Sequence, residues 1–496
     1  MSPFFSQLLL GLYLFTLAGM CVFGLHKVKM LWLYLLGSRR RPVAPPPWTG
    51  PQPKVCIQLP LFNEPLVVEA LLEKVTAIRW PADLLEVQVL DDSNDETPAI
   101  IDRWLKAHPQ QAAVVRHIRR TDRSGYKAGA LAYANTLTDA EFFAIFDADF
   151  RPEPDFLETM MPQFADPKIG VVQARWEFNN RNASFLTRFQ GIFLDAHFVV
   201  EQAARHASGL FFNFNGTAGV WRRAALEEAG GWTPDTVTED LDVSYRAQLK
   251  GWRFVYLPDY SVASELPENL TAFKSQQLRW TKGGIQVMRK QLGTILRSEV
   301  SGRIKREAAS HLLVGFIHPL LVLFSVIFVP YLLFGARLTG TWMIFNPVVV
   351  VLTSGATVAL YITGQYFSRR QWKEGVLLFI AAPLMLAFGL AMSVTCCVAV
   401  VEGLFQRGGE FVRTPKGGRV VTAGGLLMRL RSRTLFAAIT MVELVLGGMM
   451  LAGAIYFELE GLESVALVLL VKACGFLGLA LISTGDLLPR FGAARA

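Results

Sequence analysis

Phe142-Phe-Ala-Ile-Phe146-Asp147-Ala148-Asp149 is the stretch whose reading decides the fold. A short apolar run ending in Asp-x-Asp predicts a buried strand with two carboxylates at its C-terminal end. Alternate strand residues share a face, so both acids point the same way. Upstream, Leu85–Leu90 is a second such run and leads straight into Asp91-Asp92-Ser93-Asn94-Asp95. Further upstream, Lys54-Val-Cys-Ile-Gln-Leu-Pro60 reads as a third strand, followed by Phe62-Asn63-Glu64-Pro65 and an amphipathic helix over Val67–Thr76. Strand–helix–strand alternation with polar residues at the strand ends predicts a parallel α/β sheet, which binds ligands at those ends. Both acidic clusters then fall on one rim.

Two hard oxygen ligands at a strand end suit Mg²⁺ or Mn²⁺ held jointly with a substrate diphosphate. A solvated turn is the plain alternative for a lone Asp-x-Asp; Asp91-Asp92 at the matching strand end favours a site. The chain has neither a Gly-x4-Gly-Lys-Ser/Thr loop nor a Gly-x-Gly-x-x-Gly turn after the first strand. Phosphate is therefore expected to be gripped by metal and cationic side chains, with Lys127 a candidate. Asp240, in Thr238-Glu239-Asp240-Leu241-Asp242, is either an ordinary N-terminal helix charge or a base for an attacking hydroxyl. Arg279 beside Trp280 is either a phosphate clamp next to a flat ring or an interfacial membrane anchor.

Composition sets the surroundings. The 496 residues are 52% hydrophobic and 18% charged, against about 25% charge in ordinary soluble proteins. A disordered chain, a disulfide-stapled module and a purely soluble enzyme are excluded. The net charge of +8 is what basic cytoplasmic loops give a membrane protein, so membrane lipids rather than nucleic acid are the expected contacts. The five cysteines show no ligand spacing and read as reduced thiols.

Phe4–Leu25 is apolar, and its basic flank, ending in Ser38-Arg39-Arg40-Arg41, follows rather than precedes it. It reads as an uncleaved anchor with the following chain in the cytoplasm. Residues 1–41 are thus the anchor and its flank, 42–53 a Pro-rich linker, and 54–290 the soluble domain. Leu312–Phe334, Trp342–Phe367, Leu435–Phe457 and Ser464–Ser483 are long enough to span. Val376–Leu404, with Pro383 and Glu402, is expected to be a half-inserted or interfacial pair of helices. That keeps the basic loop 405–433 inside and gives five spans plus a re-entrant segment within 291–404, with a hairpin over 434–496; six spans is the alternative. Glu443 and Lys472, deep in the last hairpin, either face each other (or a polar path) or snorkel.

Taken in order, Asp91-Asp92, Asp147-Ala-Asp149, Thr238-Glu-Asp240 and Gln276-x-x-Arg279-Trp280 resemble the D, DxD, TED and QxxRW signature of processive, cellulose-synthase-like family 2 glycosyltransferases. Leu59-Pro-Leu-Phe-Asn63-Glu64, Gly125-Tyr-Lys-Ala-Gly-Ala130, Gln173-Ala-Arg-Trp176 and Phe214-Asn-Gly-Thr217 agree with the same family. The nearest likeness is to mannan or glucomannan synthases, xyloglucan-backbone synthases and their bacterial relatives. Nothing up to Ala496 resembles the cyclic-dinucleotide-binding C-terminal domain of bacterial cellulose synthases, so activation by that ligand is not expected; the single N-terminal span, shorter than their usual start, favours the mannan-synthase-like branch.

The resemblance implies a GT-A domain within a multi-pass α-helical membrane protein, in a bacterial cell membrane or a Golgi or plasma membrane. It implies inverting transfer from UDP- or GDP-hexose to a growing glycan that is threaded outward. Glu64, Asp91 and Asp92 would contact base and ribose, and Lys127, Asp147 and Arg279 the diphosphate. Asp149 would bind Mg²⁺ or Mn²⁺, with Asp147 as an added ligand, and Asp240 would be the base. Phe214, Asn215, Gly216, Thr217, Gln276 and Trp280 would meet the acceptor. Phe411, Thr414 and Lys416 resemble a gating loop, although Arg413 departs from the pattern; a basic juxtamembrane loop held by anionic lipid is the alternative. The rival enzyme reading is one-step transfer to a lipid such as diacylglycerol, ceramide or a polyprenyl phosphate. A non-enzyme rival is a transporter that retains a dead transferase domain, which intact Asp149, Asp240 and Arg279 argue against. Partner subunits are left open.

Overall fold

The computed structural model describes residues 3–37, 50–334, 348–349, 351–369, 372–409 and 426–487. The described residues form a seven-stranded sheet, β1 (Val55–Leu61), β2 (Leu85–Asp91), β3 (Val115–Ile118), β4 (Phe142–Ile145), β5 (Ile169–Phe178), β6 (Gly219–Arg222) and β7 (Arg253–Ser264). Their order is β3-β2-β1-β4-β6-β5-β7. The sheet is mixed rather than wholly parallel, because β6 runs antiparallel to both β4 and β5. A reversed strand begins where its neighbours end. The chain leading into β6 therefore lands on the same rim as the Asp-x-Asp.

Helices cover both faces of the sheet. The periodic Val68, Leu71, Leu72 and Val75 of α2 (Val68–Thr76) bury against Ile57, Leu59, Val87 and Val89. On the other face Leu131 and Ala134 of α3 (Tyr126–Asn135) pack with Phe143, Ile145 and Trp221. Each fully buried aliphatic or aromatic side chain contributes roughly 1.5–3 kcal/mol, which makes this sheet a rigid platform for the loops at its rim.

Among the described residues, five helices are long and apolar enough to cross a membrane, over Phe4–Gly37, Val314–Phe334, Gly375–Phe405, Arg433–Leu459 and Glu463–Gly485. The chain is thus built as a multi-pass membrane protein. They belong to α1 (Pro3–Gly37), α6 (Ile317–Phe334), α7 (Trp372–Phe405), α8 (Leu426–Leu459) and α9 (Glu463–Leu487). Between soluble and membrane parts lies α5 (Leu270–Arg297), which follows the shorter α4 (Glu239–Leu249). Its start is capped by Asn269, whose side chain accepts from the Ala272 N–H.

Two membrane expectations are corrected. Trp372–Phe405 is one unbroken helix running through Pro383, not a half-inserted pair. A proline within an apolar helix removes one backbone bond, and neighbouring helices tolerate the freed carbonyl. The end of α7 nonetheless returns to the soluble domain: the Gly408 N–H donates to the Asp235 carbonyl at 2.8 Å and Gln286 Nε2 to the Gly408 carbonyl at 2.7 Å. Nor do Glu443 and Lys472 face each other. Glu443 pairs with Lys274 of α5, whereas Lys472 lies over the Phe324 and Phe328 rings. At 1.5 Å per residue Glu443 sits roughly 24 Å from the hairpin turn and Lys472 roughly 14 Å, so they occupy different depths. Of the expected span Trp342–Phe367, residues 342–347 and 350 lie outside the described residues, as do Phe411, Thr414 and Lys416.

Candidate active site

The strand ends open into a cleft of about 1240 Å³, counted to its open mouth. Of the residues singled out from the sequence, Glu64, Asp92, Lys127, Asp147, Asp149, Asn215, Gly216, Asp240, Gln276, Arg279 and Trp280 all line it. Four segments distant in sequence thus meet in one pocket.

Each wall has a local cause. Asn63 adopts a left-handed backbone, φ 57°, which asparagine tolerates. Its side chain then trades hydrogen bonds with Asn94, at 2.9 Å each way, and its N–H donates to Ser93 Oγ at 2.8 Å. The loops after β1 and β2 are stitched together, which presents Glu64 and Asp92 to the cleft. Arg120 forks onto Asp92. Arg123 lies 3.3 Å above the Phe62 ring centroid, and both line the cleft as a flat cationic platform. Sequence reasoning missed both arginines; their signal was the basic run Arg119-Arg120-Thr-Asp-Arg123 directly after β3.

Lys127, in the first turn of α3, donates to Asp147 Oδ1 at 2.5 Å and to the Gly216 carbonyl at 2.9 Å. Gly216 has φ +81°, and a Cβ there would stand 2.9 Å from Asp240 Oδ2. Only glycine lets the backbone pass this close to that carboxylate. Asn215 is held from two sides, its N–H by Gln173 Oε1 at 3.0 Å and its Nδ2 by Gln202 Oε1 at 3.2 Å.

Three sequence candidates stand behind the wall. The Asp91 carboxylate pairs with His117 Nε2 and accepts the Ser93 N–H, both at 2.9 Å. Burial alone would raise its pKa; the His117 and Ser93 hydrogen bonds outweigh that and hold it below the usual range. Phe214 is fully buried and meets Trp221 edge-on. Thr217 Oγ1 accepts the Asp147 N–H at 2.9 Å, so it fixes the Asp-x-Asp turn from behind.

The far wall comes from α4 and α5. Gln276, Arg279 and Trp280, spaced i, i+3, i+4, share one helix face. Burial first, and then the neighbouring Glu239 carboxylate, push Asp240 up to about 7. A carboxylate poised there can accept a proton near neutral pH. Arg279 lies half-buried in the field of Glu239, Asp147, Asp240 and Asp149, and guanidinium stays charged in such a setting.

The donor set fits a divalent metal. Seven carboxylates (Glu64, Asp92, Asp147, Asp149, Glu239, Asp240, Glu265) face three cations (Arg123, Lys127, Arg279) around the cleft. That excess repels a diphosphate unless another cation enters. Asp149 is buried with Oδ2 accepting from Ser264 Oγ at 2.6 Å, which orients it. Among the described residues no three-ligand His/Cys/Asp/Glu cluster is present, so an ion here would share its shell with ligand oxygens or water.

The family model described as glycosyl transferase family group 2 matches residues 142–393, half of the chain. The chain belongs to this family. Glucomannan 4-beta-mannosyltransferase 7 of Arabidopsis thaliana is 34% identical over 86% of this chain and 75% of its own length. Probable glucomannan 4-beta-mannosyltransferase 3 of rice (Oryza sativa subsp. japonica) is 46% identical over 49% of this chain and 45% of its own. The chain therefore spans about half the length of some curated relatives it matches. A mannosyltransferase from Pyrobaculum calidifontis, solved with GDP-mannose and Mn²⁺, overlays with a TM-score of 0.57 at 20% identity, covering 80% of this chain and 99% of that one. At that identity the likeness shows the shared GT-A fold alone. As a family 2 chain, it carries the cellulose-synthase-like signature on the cleft's walls.

Proposed function

We propose that this chain is an inverting, processive β-hexosyltransferase that elongates a glycan from a nucleotide-sugar and passes it across the membrane. The observation that carries the reading is a single cleft holding Asp149, Asp240 and Trp280, on a domain whose helix α5 packs against the membrane helices. The relatives' names support mannose transfer to a 4-linked β-glycan rather than to a lipid, and GDP-mannose is the first donor to try. The basic flanks of the helices support a cytoplasmic side for the catalytic domain.

In this reading the Phe62–Arg123 platform stacks the base, and Glu64 and Asp92 meet the ribose. Lys127 and Arg279 neutralise the leaving diphosphate. Asp149, with Asp147 beside it, would hold Mg²⁺ or Mn²⁺, which neutralises diphosphate charge when bound. Gln276 and Trp280 orient the terminal sugar of the acceptor. Asp240 takes the proton from the attacking hydroxyl as its oxygen bonds to the anomeric carbon and the bond to diphosphate breaks. Direct displacement inverts an α-linked donor to a β-linked product without a covalent intermediate.

Purified protein is incubated with GDP-mannose, GDP-glucose and UDP-hexoses plus Mg²⁺ or Mn²⁺, and the product is extracted with organic solvent. The expected outcome is a water-phase or insoluble polymer with 4-linked β-mannose by linkage analysis. A single-sugar product in the solvent phase would replace polymerisation with lipid glycosylation.

A further inference from the structure

Helix α5 presents its cleft face through Gln276, Arg279 and Trp280. Lys274 lies roughly 200° round the helix from Gln276 at 100° per residue, on the side facing the membrane helices. There its Nζ donates to Glu443 Oε1 at 2.8 Å and Oε2 at 2.9 Å, and to Ser483 Oγ at 2.8 Å. Glu443 belongs to α8 and Ser483 to α9, so one ammonium joins three helices. All three side chains are buried, Lys274 to 2% and Glu443 to 0% exposure.

We propose that Lys274, Glu443 and Ser483 form a positioning clamp that sets the rotation and register of α5, and through it the placement of Gln276 and Trp280 in the cleft. The inference rests on the acceptor role proposed above for those two residues. The neighbouring contacts show why a clamp is needed. Phe273, beside Lys274, packs on Phe189 and Phe388, and such contacts are non-directional. Further along, Lys282 bonds Glu402 and Gln406. A slip of one residue rotates the helix by about 100° and shifts it 1.5 Å, enough to turn Trp280 off the cleft. A buried ion pair adds little net stability over well-packed apolar side chains, and its best-attested use is to specify register. Three donor hydrogens directed at acceptors on two helices do so here.

The test uses the full-length protein with K274M, E443M and the K274M/E443M double variant, which leaves no unpaired buried charge. In the double variant, thermal stability and nucleotide Kd should stay within about twofold of wild type, while kcat for transfer falls roughly 30-fold, as a near-ångström misplacement does. The ratio of donor hydrolysis to transfer should rise, and amide exchange across residues 270–285 should quicken. A stable double variant with wild-type kcat, product length and exchange overturns the clamp. If the double variant does not fold, S483A carries the test. It should lower kcat about threefold with nucleotide Kd unchanged, the scale of one lost hydrogen bond; an unchanged kcat overturns the proposal. If wild-type protein transfers no sugar, the function proposed above fails, and exchange across 270–285 still decides the clamp.

Discussion

The two sides of the cleft are built by different means. On the proposed donor side the acids follow strands β2 and β4, which flank β1 in the sheet, and each is braced within the domain: Asp92 by Arg120, Asp147 by Lys127, Asp149 by Ser264. On the opposite wall, the proposed acceptor side, Gln276 and Trp280 ride with Arg279 on one long helix whose rear face is fastened to membrane helices more than a hundred residues away in sequence. A sheet rim is rigid by construction, whereas a helix face is only as well placed as what lies behind it. Donor binding should therefore survive changes in the membrane part, and acceptor chemistry should not.

Asp240 tests that division most severely, since it stands where the two sides meet. Asp240→Asn should lower kcat by about 10³-fold, within the range lost with a positioned base, while nucleotide affinity stays near wild type by calorimetry. Loss of nucleotide binding instead would assign Asp240 to the donor side.

The next contrast pairs one residue from each wall. Trp280→Ala should reduce kcat roughly 100-fold, shorten the product and leave donor KM nearly unchanged, because a misplaced acceptor forfeits orientation. Arg120→Ala should do the reverse, raising donor KM about tenfold through loss of a charge-assisted pair at Asp92 while product length holds. If both variants change the same parameter, the two walls are not separate devices.

The pH profile follows from burial and Glu239 lifting Asp240 to about 7. Only the ionised carboxylate accepts the hydroxyl proton, so kcat/KM should fall about tenfold per unit below that value and level off above it. The limb should vanish in Asp240→Asn. A flat profile between pH 6 and 8 would mean that Asp240 ionises well below neutrality in the free enzyme.

Most of the residues that meet on the proposed donor side were legible in the sequence. Apolar runs ending in Asp92 and Asp149 declare strand ends, and parallel neighbours bring such ends together. Asp91 and Asp92 part for a period-two reason: adjacent strand-end residues point to opposite sides, so Asp92 faces the cleft and Asp91 faces His117. The Arg-Trp pair was legible as chemistry but not its support. Lys274 and Glu443 are separated by 169 positions, and hydropathy alone places a membrane acid at a depth without naming its partner. The reversed β6, which carries Asn215 and Gly216 to the rim, left no periodic signal in its four residues.

Asp91 also supplies the smallest effect, and it concerns stability rather than catalysis. His117 bridges Asp91 and Asp102, with its own side chain 13% exposed. Burial alone would lower the His117 pKa, but its hydrogen bonds to the two carboxylates outweigh that and raise it. A histidine raised on folding stabilises fully below its unfolded pKa, about 6.5, and loses that contribution as pH climbs through the folded value. Asp91, lowered on folding, contributes above its unfolded pKa, about 3.9, and loses it only in acid. The pair is thus at full strength between roughly pH 4 and 6.5. Melting temperature should decline from pH 6 to 8.5 by an amount worth roughly 1 kcal/mol, the scale of one partly exposed ion pair. His117→Gln should abolish that decline while leaving kcat within twofold, because the residue braces the donor rim from behind. An equal decline in His117→Gln would place the alkaline sensitivity elsewhere and leave the β2–β3 edge with no part in it.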